Sequence, residues 1–214
     1  MMPTQKYENE KGERIPGVTT VERQWGGEKL GRLMGWAWKK GQAGQGLWEK
    51  PEAEIGTLVH LMIDDDIKGR KTDLSKYPME HVVLAQKAFE NYGKWKKQHD
   101  FKPVETELAL VSEKHQYGGT IDCIAEIDGL LSICDWKSGA NIYESHIIQI
   151  VAYAKLWEEN FPDHPLKGGY HILRTGKEIA MFSHNWYGEF PGAWEAFLCL
   201  RQLYDLGKQI KKLK

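Results

Sequence analysis

Residues 117–139 read YGGTIDCIAEIDGLLSICDWKSG. Two runs rich in isoleucine and leucine flank Asp128-Gly129, the strongest two-residue signal for a β-hairpin turn. With those two residues as the loop, Ile127 faces Leu130. Counting outward sets Asp122 directly opposite Asp135, with Cβ atoms about 4.5–5.5 Å apart on one face of the sheet. Lys137 lies two residues beyond Asp135 and projects from the same face. Like charges placed opposite each other destabilise a sheet unless something compensates. A divalent cation does so, and hard oxygen ligands suit Mg²⁺ or Mn²⁺. A solvated face that screens the repulsion, or Lys137 pairing with both carboxylates, would serve as well.

The rest of the chain reads outward from this hairpin. Upstream, residues 103–111 alternate and form a further strand, with 118–127 and 130–137 as the hairpin arms. In that strand Glu105, Glu107, Ala109 and Val111 share a face, so Glu107 is either a third carboxylate for the site or an edge-strand surface residue. Further upstream the period becomes helical. Helices are predicted over 28–41, 51–68 and 79–99, the first on the stripe Leu30, Leu33, Met34, Ala37 and Trp38. Pro51 suits a first helical turn. Residues 1–20 read as loop or a short hairpin. Downstream, a helix over 143–160 ends near Pro162. Strands over 168–174 and 178–184 flank Thr175-Gly176, and a last helix covers 191–213. The expected class is mixed α/β. One domain is expected over 1–214, with a mainly helical part (1–100), a sheet-and-helix part (101–185) and a C-terminal helix (186–214).

Composition narrows the function. The chain has 214 residues, long enough for a sizeable core without staples. Its net charge of −1 removes any argument for nucleic acid from bulk charge. By segment, residues 1–50 carry +3, 51–66 −5, 67–102 +5, 103–160 −7 and 161–214 +3. An acidic middle between basic flanks suits a metal site serving a polyanion, although clustered solvated faces give the same pattern. No apolar run approaches a membrane span, and the first 30 residues lack a signal-peptide core. Cys123, Cys134 and Cys199 cannot all pair and lack close spacing, which argues against a disulfide framework or a cysteine-bound zinc or iron–sulfur cluster. A reducing, intracellular setting fits best.

Other candidates surround the hairpin. Gln149 and Tyr153 are one helical turn apart. They either reach the site or form a polar fringe on a core helix. His60 is a packed residue or a ligand. Asp64, Asp65 and Asp66 are consecutive on a helix, fan out around it and cannot converge on one ion, so a solvated helix end is expected. In the first helix Lys29, Arg32, Lys39 and Lys40 surround Trp36, a combination that suits a single strand of nucleic acid as well as a solvated face. Lys87, Lys94, Lys96 and Lys97, and Lys208, Lys211, Lys212 and Lys214, are placed to flank such a path.

Taken in order, Gly-x-x-x-His at 56–60, Gly-Thr-Ile-Asp at 119–122, Asp-x-Lys at 135–137 and Gln-x-x-x-Tyr at 149–153 resemble the RecB-like branch of the PD-(D/E)XK nuclease superfamily. Within it the strings IPGVTTV (15–21), DCIAEIDG (122–129), CDWKSG (134–139) and QIVAY (149–153) are most similar to the mitochondrial genome-maintenance exonuclease and related phage exonucleases. The resemblance spans residues 15–160. It implies a restriction-endonuclease-like core, a central mixed sheet flanked by helices, with a helical N-terminal part. It implies that Asp122, Asp135, His60 and the backbone carbonyl of Trp136 bind one or two Mg²⁺ or Mn²⁺ ions. Glu107 would hold a metal or an inner-shell water. Lys137 would position the attacking water or stabilise the phosphate, with Gln149 and Tyr153 orienting it and the DNA backbone. Thr19 or Thr20 would contact a phosphate, although the family's Ser-Val-Thr stands here as Gly-Val-Thr-Thr. Arg32, Trp36, Lys39 and Lys40 would hold DNA. The four-cysteine cluster of some relatives is missing from the pattern. The implied activity is a DNA exonuclease that prefers single strands or free ends. The alternatives are a structure-specific endonuclease or a catalytically silent DNA-binding module. By the same resemblance, a recombination or replication protein is a candidate partner, in a phage-infected or bacterial cell.

Overall fold

A computed structural model describes residues 5–44, 51–137, 141–175 and 182–213, without the side chains of 27–30, 32 and 51–53. Two short strands, β1 (Tyr7–Glu8) and β2 (Arg14–Ile15), form the N-terminal hairpin. Helices α1 (Val18–Glu22), α2 (Gly26–Gln42), α3 (Pro51–Ile67) and α4 (Met79–Lys96) follow. The main sheet contains β3 (Phe101–Ser112), β4 (Tyr117–Ile127) and β5 (Leu130–Lys137). After α5 (Glu144–Asn160) come β6 (Tyr170–Arg174), β7 (Ser183–Tyr187) and α6 (Ala193–Lys211). Five strands run in the order β3-β4-β5-β6-β7, antiparallel except for β5 and β6. A parallel pair needs a crossover, and α5 supplies it.

The hairpin register is as expected. Ile127 pairs with Leu130 and Cys123 with Cys134. Asp128 (φ 50°) and Gly129 (φ 84°) both take left-handed backbone, the requirement of a tight I′-type turn. Of the strand expected over 178–184, residues 183 and 184 lie in β7, which continues to Tyr187; residues 176–181, including Gly176 of the expected turn, lie outside the described residues.

Helices cover both faces of the sheet. On one face α1, α5 and α6 enclose a core built on Tyr117, Ile121, Ile124, Ile133, Leu156 and Phe197. On the other, α3 and α4 enclose Leu58, Ile63, Tyr92, Trp95, Cys123 and Trp136. This second layer is why β4 and β5 read as nearly continuous apolar runs. It also accounts for Cys123 and Cys134, directly opposite each other and buried.

One expectation fails in the helices, and one helix face is left uncovered. Among the described side chains of the α2 stripe, Leu33, Met34 and Trp38 are 52%, 64% and 70% exposed. Its periodicity makes an amphipathic helix but does not supply a partner. The Asp64–Asp66 run is not a solvated helix end. Asp64 and Asp65 are buried and shared among Lys68 and Arg70, and Asp66 pairs with Lys96. The chain just after α3 supplies Lys68 and Arg70 to the first two, and packing of α3 on α4 brings Lys96 to the third.

Candidate active site

The site forms where the regular sheet breaks down. Ile121 and Cys123 are two residues apart, yet they pack in opposite cores, so side-chain alternation fails just before Asp122. On the neighbouring strand Glu107 takes φ 50°, a left-handed conformation that is uncommon for a non-glycine residue. Between Thr106↔Cys123 and Leu108↔Ile121 it lies across from Asp122. Strained backbone of this kind concentrates at functional sites. The ladder between β4 and β5 also ends at Cys123↔Cys134. Beyond it the Trp136 N–H donates to Asp122 Oδ2 at 2.9 Å, so the aspartate side chain takes the place of the next ladder bond.

His60, Glu107 and Asp122 converge. One ligand atom from each lies within 4.8 Å of the others. His60 Nδ1 is 3.7 Å from Asp122 Oδ2. Asp135, expected beside them as a ligand, is turned toward Lys137. The lysine ammonium is 2.8 Å from Oδ1 and 2.7 Å from Oδ2. Only the first contact has hydrogen-bond geometry, so Oδ2 is buried without a hydrogen bond. The chain of contacts continues into α5. Lys137 donates to Gln149 Oε1 at 2.9 Å, and Gln149 Nε2 donates to the buried Tyr153 hydroxyl at 2.9 Å. The helical spacing of Gln149 and Tyr153 therefore reaches the site rather than a polar fringe.

Electrostatics matches the crowding. Burial pushes the Asp135 carboxyl up to about 6, against the pull of the Lys137 ammonium. Glu107 is exposed as a residue, yet desolvation of its carboxyl and then the charge of Asp122 push it up to about 7. Burial also raises the Tyr153 hydroxyl well above its ordinary value. Carboxyls that resist ionising beside one another are stabilised in their charged form by a cation. Three carboxylates with one imidazole, one buried oxygen among them without a hydrogen bond, fit a hard divalent ion.

The Gly118-Gly119 pair lets two tyrosines close on β4. A Cβ on Gly118 would lie 2.3 Å from the Tyr7 side chain, and one on Gly119 would lie 2.6 Å from Tyr153. Tyr7 is a residue that sequence reading missed. Its hydroxyl bonds Thr120 Oγ1 at 2.9 Å, and no local pattern marks it. A cavity of about 540 Å³ opens over Lys137 and Gln149, lined also by Thr19, Arg23, Leu33 and His146. Thr20 instead lines a neighbouring cavity that also includes Thr19. Trp36, Lys39 and Lys40 line neither. Lys40 Nζ sits 5.6 Å from the Trp36 ring centroid. The side chain of Arg32 is outside the described residues, as are those of Leu30 and Lys29 and the whole of Lys214.

With this geometry in place, the sequence pattern of the PD-(D/E)XK nuclease superfamily matches residues 23–190. The chain belongs to the PD-(D/E)XK nuclease superfamily. The mixed sheet with helices on both faces is consistent with the superfamily core. Membership points to a metal-dependent nuclease with DNA as substrate, and superfamily nucleases typically use divalent metals. The His60, Glu107 and Asp122 cluster is a candidate for the ion's place. No curated protein matches the chain significantly. Among the described residues, no helix is long and apolar enough to cross a membrane.

Proposed function

We propose that this chain is a DNA exonuclease of the RecB-like branch, acting on single strands or free ends in recombination, replication or repair. One observation carries the reading. The relay Asp135–Lys137–Gln149–Tyr153 ends beside a cluster of His60, Glu107 and Asp122. A DNA-binding module that does no chemistry has no use for opposed carboxylates and a clamped lysine.

In this reading His60, Glu107, Asp122 and Asp135, with the Trp136 carbonyl, hold one or two Mg²⁺ or Mn²⁺ ions. Such an ion, when bound, neutralises phosphate charge and acidifies a water. The chain's own residues do the rest. Lys137 puts a fixed positive charge where negative charge develops on the phosphate and orients the attacking water. Asp135 and Gln149 take two of the ammonium's donors and aim the third. Tyr153 holds the Gln149 amide so that its oxygen, rather than its nitrogen, faces the lysine. Thr19, at the junction of the two cavities, is placed to contact the strand. Leu33 brings α2 to the cleft over Lys137, which supports a helical roof admitting single strands. Trp36, Lys39 and Lys40 would bind DNA along α2 by stacking and charge.

The test is cleavage of end-labelled single-stranded, duplex and circular DNA with Mg²⁺, Mn²⁺ or EDTA, comparing wild type with Lys137→Ala. Metal-dependent shortening of linear single strands, lost in the variant and absent on circles, is expected. Cutting of circles means an endonuclease on the same core. Cleavage by Lys137→Ala at the wild-type rate removes the mechanism.

A further inference from the structure

The second cavity, of about 450 Å³, lies between the N-terminal hairpin, α1 and α6. Three cations line it, Lys6, Arg14 and Lys208, and no carboxylate does. Of the nearby acids, Glu13 accepts from Asn9 Nδ2 at 3.0 Å, Asp205 is paired with Arg201, and Glu8 stands across the hairpin from Arg14 without lining the cavity. Among the described residues none of the three cations has a carboxylate partner. Lys208 rests its ammonium 5.0 Å from the Tyr204 ring centroid. Unpaired like charges around one concavity repel each other, and an anion removes that cost. They also focus the field into the cavity.

The cavity adjoins the candidate active site. Thr19 lines both cavities. Tyr7, another lining residue, bonds Thr120, two residues before Asp122 on β4. The charge of Glu107 is felt at the Tyr7 hydroxyl, which burial raises above its ordinary value. A strand with one phosphate at Lys137 therefore has this cavity beside it.

We propose that Lys6, Arg14 and Lys208 form a phosphate-binding subsite for the DNA strand, holding a phosphate group next to the one that is cut. The inference rests on the nuclease reading and adds to it the residues that grip the strand away from the chemistry. None of them belongs to the sequence motifs. They come from both ends of the chain, and only the packing of α6 on α1, which follows the hairpin, unites them around one cavity.

The experiment measures binding apart from cleavage. A short oligothymidylate, fluorescein-labelled at its 3′ end, is titrated in EDTA by anisotropy, with either a phosphate or a hydroxyl at its 5′ end. Lys6→Gln/Arg14→Gln/Lys208→Gln is expected to weaken binding tenfold or more. It should also flatten the log–log salt slope by about 0.7, the value for the one single-strand phosphate that the subsite holds. Arg14→Lys/Lys208→Arg is expected to keep most of the affinity. Lys71→Gln/Lys76→Gln/Lys102→Gln, which removes three positive charges from residues that do not line the cavity, controls for net charge. If the loss is confined to the 5′-phosphorylated strand, the subsite takes a terminal phosphate; an equal loss on both places a backbone diester there. Unchanged affinity and slope in the triple variant, a loss matched by the control, or no wild-type binding in EDTA overturns the proposal. The two readings fail separately. A wild type that cuts no DNA, with a triple variant that still loses binding, removes the nuclease reading and keeps the subsite. Normal cutting with unaltered binding by the triple variant does the reverse.

Discussion

Helices α2 and α5 have the same length, 17 residues, and both carry apolar residues at helical spacing. Their fates differ. In α5 nine residues are buried, from Ser145 through Trp157, and two polar ones are locked into the site. In α2 the described residues Leu33, Met34 and Trp38 of the corresponding stripe are exposed, and Leu33 reaches the cleft. Topology explains the contrast. The chain must cross the sheet between β5 and the parallel β6, so α5 has to lie on it. α2 precedes the sheet and no crossover constrains it. Apolar periodicity therefore specifies a helix, and connectivity specifies what the helix covers.

The comparison can be broken by truncating each helix. Leu156→Ala, in the α5 core, is expected to cost about 2–5 kcal/mol in denaturant unfolding. A cost below 1 kcal/mol would mean that α5 is no better seated than α2. The polar face of α5 is tested through Lys137. Lys137→Ala is expected to lower the cleavage rate on single-stranded DNA by about 10²–10³-fold or more, while Mn²⁺ still raises the melting temperature. Loss of the metal response would show that the lysine supports the fold of the site and not the chemistry alone.

A smaller effect comes from pH. Asp135 and Glu107 ionise at about 6 and about 7 in the folded chain, above the ordinary range near 4. At these two carboxyls the folded state holds more protons than the unfolded state between about pH 4 and 7. Their contribution to stability is greatest below about pH 4 and falls as pH rises through those folded values. In EDTA the melting temperature of the wild type relative to Asp135→Asn should decline over that window, leaving Asp135→Asn the more stable protein at pH 8, by about 1–2 kcal/mol. Mn²⁺ should reverse the trend, because it binds the ionised carboxylates and releases protons. A flat profile in EDTA would show that Lys137 fully compensates Asp135. The smallest effect belongs to α2: Leu33→Ser with Met34→Ser is expected to change stability by no more than about 0.5 kcal/mol each. A larger loss would reveal a partner for that face.

Much of the site was legible along the chain because it is local. Asp128-Gly129 dictates a two-residue loop, and that loop dictates a register kept as far as Cys123↔Cys134, one pair short of Asp122 and Asp135, with Lys137 two residues on. Gln149 and Tyr153 follow from one helical turn. The reading went wrong where a local rule was extended past its range. Asp64–Asp66 looked solvated because their partners Arg70 and Lys96 come from outside the helix turn. Asp135 stays a proposed ligand whose carboxylate lies against Lys137, while the ligand atoms that converge are those of His60, Glu107 and Asp122.

The amino-acid sequence by itself determined the helices, the hairpin with its register and the chemical character of the groups along it. Hydrogen-bond ladders and helical turns act over a few residues, and these features need no more. Only the tertiary structure decided that alternation breaks before Asp122, that α3 carries His60 to Glu107, and that Gly118 and Gly119 admit Tyr7 and Tyr153. It alone decided that Lys6, Arg14 and Lys208 share a cavity. Those residues are tens to hundreds of positions apart, and what brings them together is burial of apolar surface on the two faces of one sheet, a force without direction or sequence range.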